Sequence, residues 1–202
     1  MGCDQILIKL LMITREERLK ILIWPGSLRQ GSFNRQLANV INSRLVEKGV
    51  ETDLIEFRDF DMPLFNADIQ EKNGIPDATN ALADRIVSSD GFVLVMPEYN
   101  FGVPGPVKNA IDWLSRIRPY PTAGKVCLLA SAAPGQVGGA RGIIALRPAL
   151  SFMGAWLVPE SFSLAQASNA FSENNQLKNS ELEKLLNDVI GKFIAAAGSL
   201  RV

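Results

Sequence analysis

Ser27, Arg29, Ser32 and Asn34 fall close together in Gly26-Ser27-Leu28-Arg29-Gln30-Gly31-Ser32-Phe33-Asn34. Two hydroxyls and an amide offer neutral hydrogen-bond donors, and the arginine adds a planar, permanently charged fork whose geometry matches a phosphate. The stretch follows an apolar run, Leu19 to Trp24, and precedes Leu37, Val40, Ile41 and Leu45 at helical spacing. That order reads as buried strand, tight loop and helix start. The first N–H groups of such a helix have no intrahelical partner and sit at the positive end of its dipole, so the loop has the chemistry of an anion site. A plain polar turn has the same composition. No Lys-Ser or Lys-Thr follows a glycine as in a P-loop, and Gly26 and Gly31 lack the spacing of a dinucleotide fingerprint.

Two further loops are unusual. Pro97-Glu98-Tyr99-Asn100-Phe101-Gly102-Val103-Pro104-Gly105-Pro106 follows one apolar run, and Ser131-Ala132-Ala133-Pro134-Gly135-Gln136-Val137-Gly138-Gly139 follows another. Glycine and proline let rigid backbone approach a flat heterocycle and present fixed N–H and C=O groups to its edge, while an aromatic ring shields a face. Tyr99 and Phe101 suit that task, or packing against a neighbour or a second subunit. Glu98 has the chemistry of a general base but no evident partner residue, which favours a structural or interface role. Lys108, Asp112 and Trp113 read as helix surface, packing and local charge.

The chain contains no histidine, which removes Ser-His-Asp and Cys-His catalysis, His-rich metal sites and the ordinary neutral-pH proton shuttle. Redox or group-transfer chemistry would therefore rest on a bound cofactor. With 21 basic and 21 acidic side chains among 202 residues, no charge excess points to nucleic acid. Two cysteines, Cys3 and Cys127, make no disulfide framework or zinc cage, and a reduced, cytoplasmic location is the natural reading.

These loops need a scaffold. Strands are expected at Leu19 to Trp24, Glu51 to Phe57, Gly91 to Met96, Lys125 to Ala130 and Ala155 to Pro159. Between them come a helix stopped by Gly49, a long connection over 58 to 76, a helix capped by Asp77 whose apolar positions include Leu82, Ile86 and Val87, and a helix from about Pro106 to Arg116. A helix beginning near Gly139 carries Ile143, Ile144 and Leu146 and should kink or end at Pro148. Ser180 and Glu183 form a capping box for a last helix with Leu182, Leu185, Leu186, Val189, Ile190 and Phe193 on one face. Strands alternating with helices imply a parallel sheet covered on both sides. In the order 2-1-3-4-5, the three loops meet at the switch between strands one and three. Residues 1 to 18 read as an extension before a single domain, 19 to 202. Its apolar run is too short to span a bilayer, no signal peptide is evident, Ile6 spoils a myristoylation motif, and Met12 is an alternative start.

On these residues, the chain resembles the NADPH-dependent FMN reductase family of flavodoxin-like chromate, quinone and azo reductases. Gly26-Ser27-Leu28-Arg29 with Ser32 and Asn34 matches that family's phosphate loop. Pro97-Glu98-Tyr99-Asn100, continuing through Pro104 to Lys108-Asn109-Ala110-Ile111-Asp112-Trp113, matches its most specific motif, and Gly138-Gly139, Arg141 and Leu146-Arg147 match a third segment. The resemblance spans roughly Leu19 to Pro159. It implies a flavodoxin-like three-layer α/β sandwich and an FMN-dependent oxidoreductase carrying a hydride from NADPH or NADH to a small acceptor. It further implies that Ser27, Arg29, Ser32 and Asn34 hold the FMN phosphate. Pro97, Glu98, Tyr99 and Asn100 would line the ring and ribityl chain, Ser131 and Gly135 would close the other side, and the protein would be a homodimer or homotetramer. No side chain need act as acid or base, and no metal, membrane or nucleic acid is implied. Against this stands an electron carrier without nicotinamide activity, a class usually strongly acidic, and a flavin-free module that kept the fold.

Overall fold

A computed structural model describes residues 18–174 and 176–201. The expected extension, with Cys3 and Met12, lies outside the described residues except for Arg18.

Three apolar runs become the centre of the sheet because no position along them reaches solvent on either face. β1 (Lys20–Pro25), β3 (Gly91–Val95) and β4 (Val126–Ala132) are buried at every residue except Lys20. β2 (Glu51–Leu54), polar and half-exposed, pairs with the free side of β1, and with β5 (Trp156–Leu157) beyond β4 the order is β2-β1-β3-β4-β5 with every pairing parallel. One face is covered by α1 (Phe33–Glu47), which buries Leu37, Val40, Ile41 and Leu45 beside Leu186, Val189, Ile190 and Phe193 of the last helix. The other face is covered by three helices. Leu82 and Ile86 come from α3 (Asp77–Val87), Val107, Ile111 and Leu114 from α4 (Gly105–Leu114), and Ile143, Leu146 and Leu150 from α5 (Ala140–Phe152). Each fully buried leucine or isoleucine contributes about 1.5–3 kcal/mol, so these stripes dominate the helices' attachment.

Several expectations are corrected at the element ends. β2 stops at Leu54, Ile55 and Glu56 lie in no regular element, and a short 3-10 turn, Phe57–Asp59, begins where the strand was expected to end. The long connection contains α2 (Ala67–Asn73), capped by the Asn66 side chain, with no buried residue to give it a periodic signal. Asp77 is the first residue of α3 and not its cap, a place held by Pro76. The last helix, α6 (Ser180–Ser199), is capped one residue earlier than expected. Asn179 accepts the N–H groups of Glu181 at 2.9 Å and Leu182 at 3.0 Å, so Ser180 and Glu183 form no capping box. Leu185, expected on the apolar face of the last helix, is exposed, as are Val87 and Ile144 among the apolar residues named for the other helices.

Helix α5 does not end at Pro148 but runs on to Phe152. Pro148 lies on the exposed face with Ile144 and Ala145, where the carbonyl that loses its N–H partner can turn to water. The fifth strand is shorter than expected and a sixth appears. β5 (Trp156–Leu157) pairs with Val126 and Cys127, and β6 (Phe162–Leu164) pairs with Ala130 to Ala132 of the same strand. The two are one edge strand in two pieces, parted at Pro159.

Candidate functional site

The loops after β1, β3 and β4 emerge together at the carboxyl edge of the sheet. In the first, Ser32 caps α1, its Oγ accepting the Asn34 N–H at 3.2 Å, and Gly31 takes the positive φ of 64° that the turn requires. Ser27, nearly buried, accepts the Arg29 N–H at 3.4 Å, and Arg29 reaches back to the Gly31 carbonyl at 3.2 Å with its guanidinium 5.3 Å from the Phe33 ring centroid. Ser27, Arg29 and Ser32 thus surround the open end of α1. The first helical bond runs from Gln36 N–H to the Ser32 carbonyl, leaving the N–H groups of Phe33 and Arg35 without partners among the described residues.

Asn34 is placed differently. Its Nδ2 donates to the Ala132 carbonyl and its Oδ1 accepts the Ala132 N–H, both at 2.9 Å. The side chain is buried and spans from the first loop to the end of β4. It ties two of the three loops together, and the donor that faces β4 is not turned toward the helix end.

In the second loop, Tyr99 and Gly102 exchange backbone bonds of 3.1 and 3.0 Å across Asn100 and Phe101, at φ 48° and 65°. Asparagine tolerates that left-handed region, but a bulky phenylalanine there costs on the order of 1–3 kcal/mol. Phe101 is 70% exposed, with the Arg141 guanidinium 4.2 Å from its ring centroid. Pro97 is buried, and Tyr99 and Asn100 face solvent. Glu98 reaches across to α5, where it accepts the N–H groups of Arg141 at 3.0 Å and Gly142 at 3.2 Å and pairs with the Arg141 guanidinium at 3.4 Å. Gly139, the residue at the N-cap, brings no side chain of its own, so Glu98 supplies the cap from a distant loop. Its carboxylate is fully engaged, which speaks for the structural role over the general base.

In the third loop, Ser131 is fully buried and its Oγ has no hydrogen-bond partner. It lies directly under Gly139, where any Cβ would overlap it. Gly138 and Gly139 take φ of 62° and 88°, and Gly138 sits against the backbone of Ser163 to Ala165. Gly135 is at the outer edge, with open space where a side chain would stand. Ser131 therefore lies beneath this loop and Gly135 on its surface.

A cleft of about 530 Å³ lies beside the first loop. Leu28, the segment around Phe57, Arg58, Phe60, Met62 and Leu64, and the start of α4 line it. α4 holds that segment with two side chains one turn apart. Asn109 Oδ1 accepts the Phe65 N–H at 2.8 Å and its Nδ2 donates to the Pro63 carbonyl at 3.0 Å, which also accepts the Trp113 indole N–H at 2.7 Å. Phe65 stands edge-on to Trp113 at 5.1 Å, with Arg116 over its other face. Trp113 is thus a clamp as well as a packing residue. Sequence reasoning named Asn109 only as part of the motif after Pro104 and gave no role to it or to Arg58, Phe60 and Met62. The signal available was the length of the connection and the four-residue spacing of Asn109 and Trp113.

No group of three or more metal-ligating side chains occurs among the described residues, and no described helix is long and apolar enough to cross a membrane.

Comparison with known proteins bears on this arrangement. The profile of the NADPH-dependent FMN reductase family matches residues 19–169. A quinone reductase of Escherichia coli strain K12 is 42% identical over 142 residues, covering 70% of this chain and 74% of that protein. An NAD(P)H-dependent FMN reductase of Pseudomonas aeruginosa is 33% identical over 170 residues, 83% of this chain and 89% of that protein. Among solved structures, the flavoenzyme NAD(P)H:(acceptor) oxidoreductase FerB from Paracoccus denitrificans superposes with a TM-score of 0.79 at 27% identity, covering 91% of this chain and all of that one.

Proposed function

The chain belongs to the NADPH-dependent FMN reductase family, and we propose that its FMN is held by the three loops at the carboxyl edge of the sheet. The enzyme is an FMN-dependent NAD(P)H oxidoreductase that delivers electrons to a small acceptor. The observation that carries the placement is the open end of α1: unpaired N–H groups of Phe33 and Arg35, ringed by Ser27, Ser32 and the partly free guanidinium of Arg29. Backbone donors, two hydroxyls and a permanent cation form a donor set suited to a dianionic phosphate.

The remaining residues have distinct tasks. Asn34 fixes the distance between the first and third loops through Ala132, so that a group anchored at one meets the other. Glu98 holds the second loop onto α5 and keeps Pro97, Tyr99 and Asn100 at the rim, where backbone groups and an aromatic face can meet a flat ring. Gly135 leaves room on the far side, and the Ser131 hydroxyl lies unpartnered beneath Gly139. When bound, FMN supplies the hydride chemistry, which none of these side chains provides. Quinones are the acceptors in the names of several relatives, and we extend that class to this chain. Exposed Tyr99 and Phe101 beside the site suit a homodimer or homotetramer, and the buried, unpaired thiol of Cys127 suits a reducing cytoplasm.

The test is an anaerobic visible spectrum of protein incubated with FMN, desalted, then mixed with NADPH or NADH. Retained yellow colour that bleaches supports the reading and ranks the donors. Colour that persists marks an electron carrier, and absence of colour overturns the FMN site.

A further inference from the structure

We infer that Gln166 is a positioning residue of the third loop: it turns the peptide between Gly135 and Gln136 so that the Gln136 N–H faces the polar edge of the flavin. This rests on the FMN site proposed above and deepens it, since Gln166 lies outside the three loops and acts through one of them.

Among the described residues, three other than glycine take a positive φ. Asn100 and Phe101 shape the second loop, and the third is Gln166, at φ 49° and ψ 38°. A long side chain gains nothing from that conformation, which persists only where the surroundings enforce it. What enforces it is a fault in the edge pairing. β4 and β6 keep regular parallel register as far as Ala132 and Leu164, and the Ala133 N–H donates to the Leu164 carbonyl at 3.0 Å. One more regular step would give the Gln166 N–H to the Ala133 carbonyl. Instead the Ala167 N–H takes that carbonyl at 3.0 Å, and Gln166 is the extra residue of a bulge. Its N–H, displaced from the ladder, reaches the Gly135 carbonyl at 3.1 Å.

That bond sets the direction of a donor. In a trans peptide the C=O and the following N–H point opposite ways, so a Gly135 carbonyl held toward Gln166 sends the Gln136 N–H away from it. Ala130 of β4 pairs with Val95 of β3 on one edge and with Phe162 of β6 on the other. A donor turned away from the β6 side therefore faces the side of β3 and its Tyr99 loop. The Gln136 N–H has no partner among the described residues, and Gly135 leaves open space beside it. The ring of FMN carries carbonyl oxygens and ring nitrogens along one edge, and these accept such a bond. The Gln166 carboxamide is 3.5 Å from Gln136 Oε1, at the limit of a hydrogen bond, so the backbone and not the side chain carries the role.

The experiment follows amide hydrogen exchange at Gln136 with and without FMN, together with the 31P spectrum of the bound phosphate and FMN affinity from a fluorescence titration. In the wild-type protein FMN should slow exchange at Gln136. Gln166→Val places a β-branched side chain where the left-handed region disfavours it. It should leave Gln136 exchanging as fast as without FMN and weaken FMN binding about tenfold, the worth of one hydrogen bond. The 31P signal, which reads the first loop, should stay in place. Gln166→Gly, at ease at the same φ, should keep the wild-type protection and affinity. Bound FMN that leaves Gln136 unprotected overturns the proposal, and so does a Gln166→Val protein that behaves as wild type. A loss in Gln166→Gly equal to that in Gln166→Val overturns it, because the carboxamide would then be what matters. A 31P signal that moves in Gln166→Val does the same, since the whole site would have loosened. If the wild-type protein holds no FMN, the function proposed above fails. If it holds FMN that NADPH bleaches while Gln136 does not respond, only the role of Gln166 fails.

Discussion

At the scale of single residues, the site divides into groups that face a ligand and groups that hold other groups still. Arg29 is exposed and its side chain braces only the Gly31 carbonyl and the Phe33 ring, so Arg29→Ala should spare the fold. Combined with Ser32→Ala it should weaken FMN binding by on the order of 3 kcal/mol, read by fluorescence titration. Unchanged affinity would sink the phosphate-loop assignment. Ser32→Ala alone also removes the α1 cap and should lower folding stability by ~1 kcal/mol. Glu98→Ala separates the roles discussed for that carboxylate. As a distant cap it should cost about 1–2 kcal/mol in urea denaturation, and a general base would instead leave stability unchanged while altering a pH–rate profile. The loops and their donor residues are legible in the sequence because they interrupt apolar runs. The partners of Asn34 and Glu98 are not, because Ala132 and Arg141 lie 98 and 43 positions away and one sequence carries no record of which distant groups meet.

At the scale of elements, the strands declare themselves where burial is complete. β1, β3 and β4 read as continuous apolar runs, and the inward faces of α1 and α4 follow helical spacing. What the sequence leaves obscure is what burial does not mark. α2 has no buried residue, β6 has three residues, and the choice of Asn179 over Ser180 as cap turns on one residue of backbone geometry. Pro148 shows that a local rule yields when its cost falls on the solvent side of a packed helix. The Asn109 clamp gives a prediction at this scale. Asn109→Ala frees the Phe65 N–H and leaves the Pro63 carbonyl to the Trp113 indole alone, and it should cost about 1–2 kcal/mol. Amide hydrogen exchange at Phe65 should accelerate while the interior of α4 stays protected. Equal exchange in both proteins would show that Trp113 alone holds the segment.

At the scale of the whole molecule, Cys127 connects burial to pH. It lies fully buried in β4, and desolvation pushes its thiol well above the ordinary range, opposed only weakly by Arg147. The unfolded chain loses that proton near pH ~8.5. Between that value and the raised folded one, the unfolded state binds fewer protons, so this contribution to stability is complete below pH ~8.5 and declines as pH rises. Urea midpoints measured from pH 8 to 10 should fall, and Cys127→Ala should fall less steeply; parallel slopes in the two proteins would refute the account. The sheet's outer margin carries one more consequence. An uninterrupted edge strand offers a row of free N–H and C=O groups on which another chain can stack, the first step toward ordered aggregates. Here that row is cut into two residues and three, with Pro159 withholding a donor between them, and the opposite margin is only the four residues of β2, which include two carboxylates. Neither border is long enough to template a fibril, so concentrated solutions of this protein should stay clear of thioflavin-positive material as long as the sheet is folded.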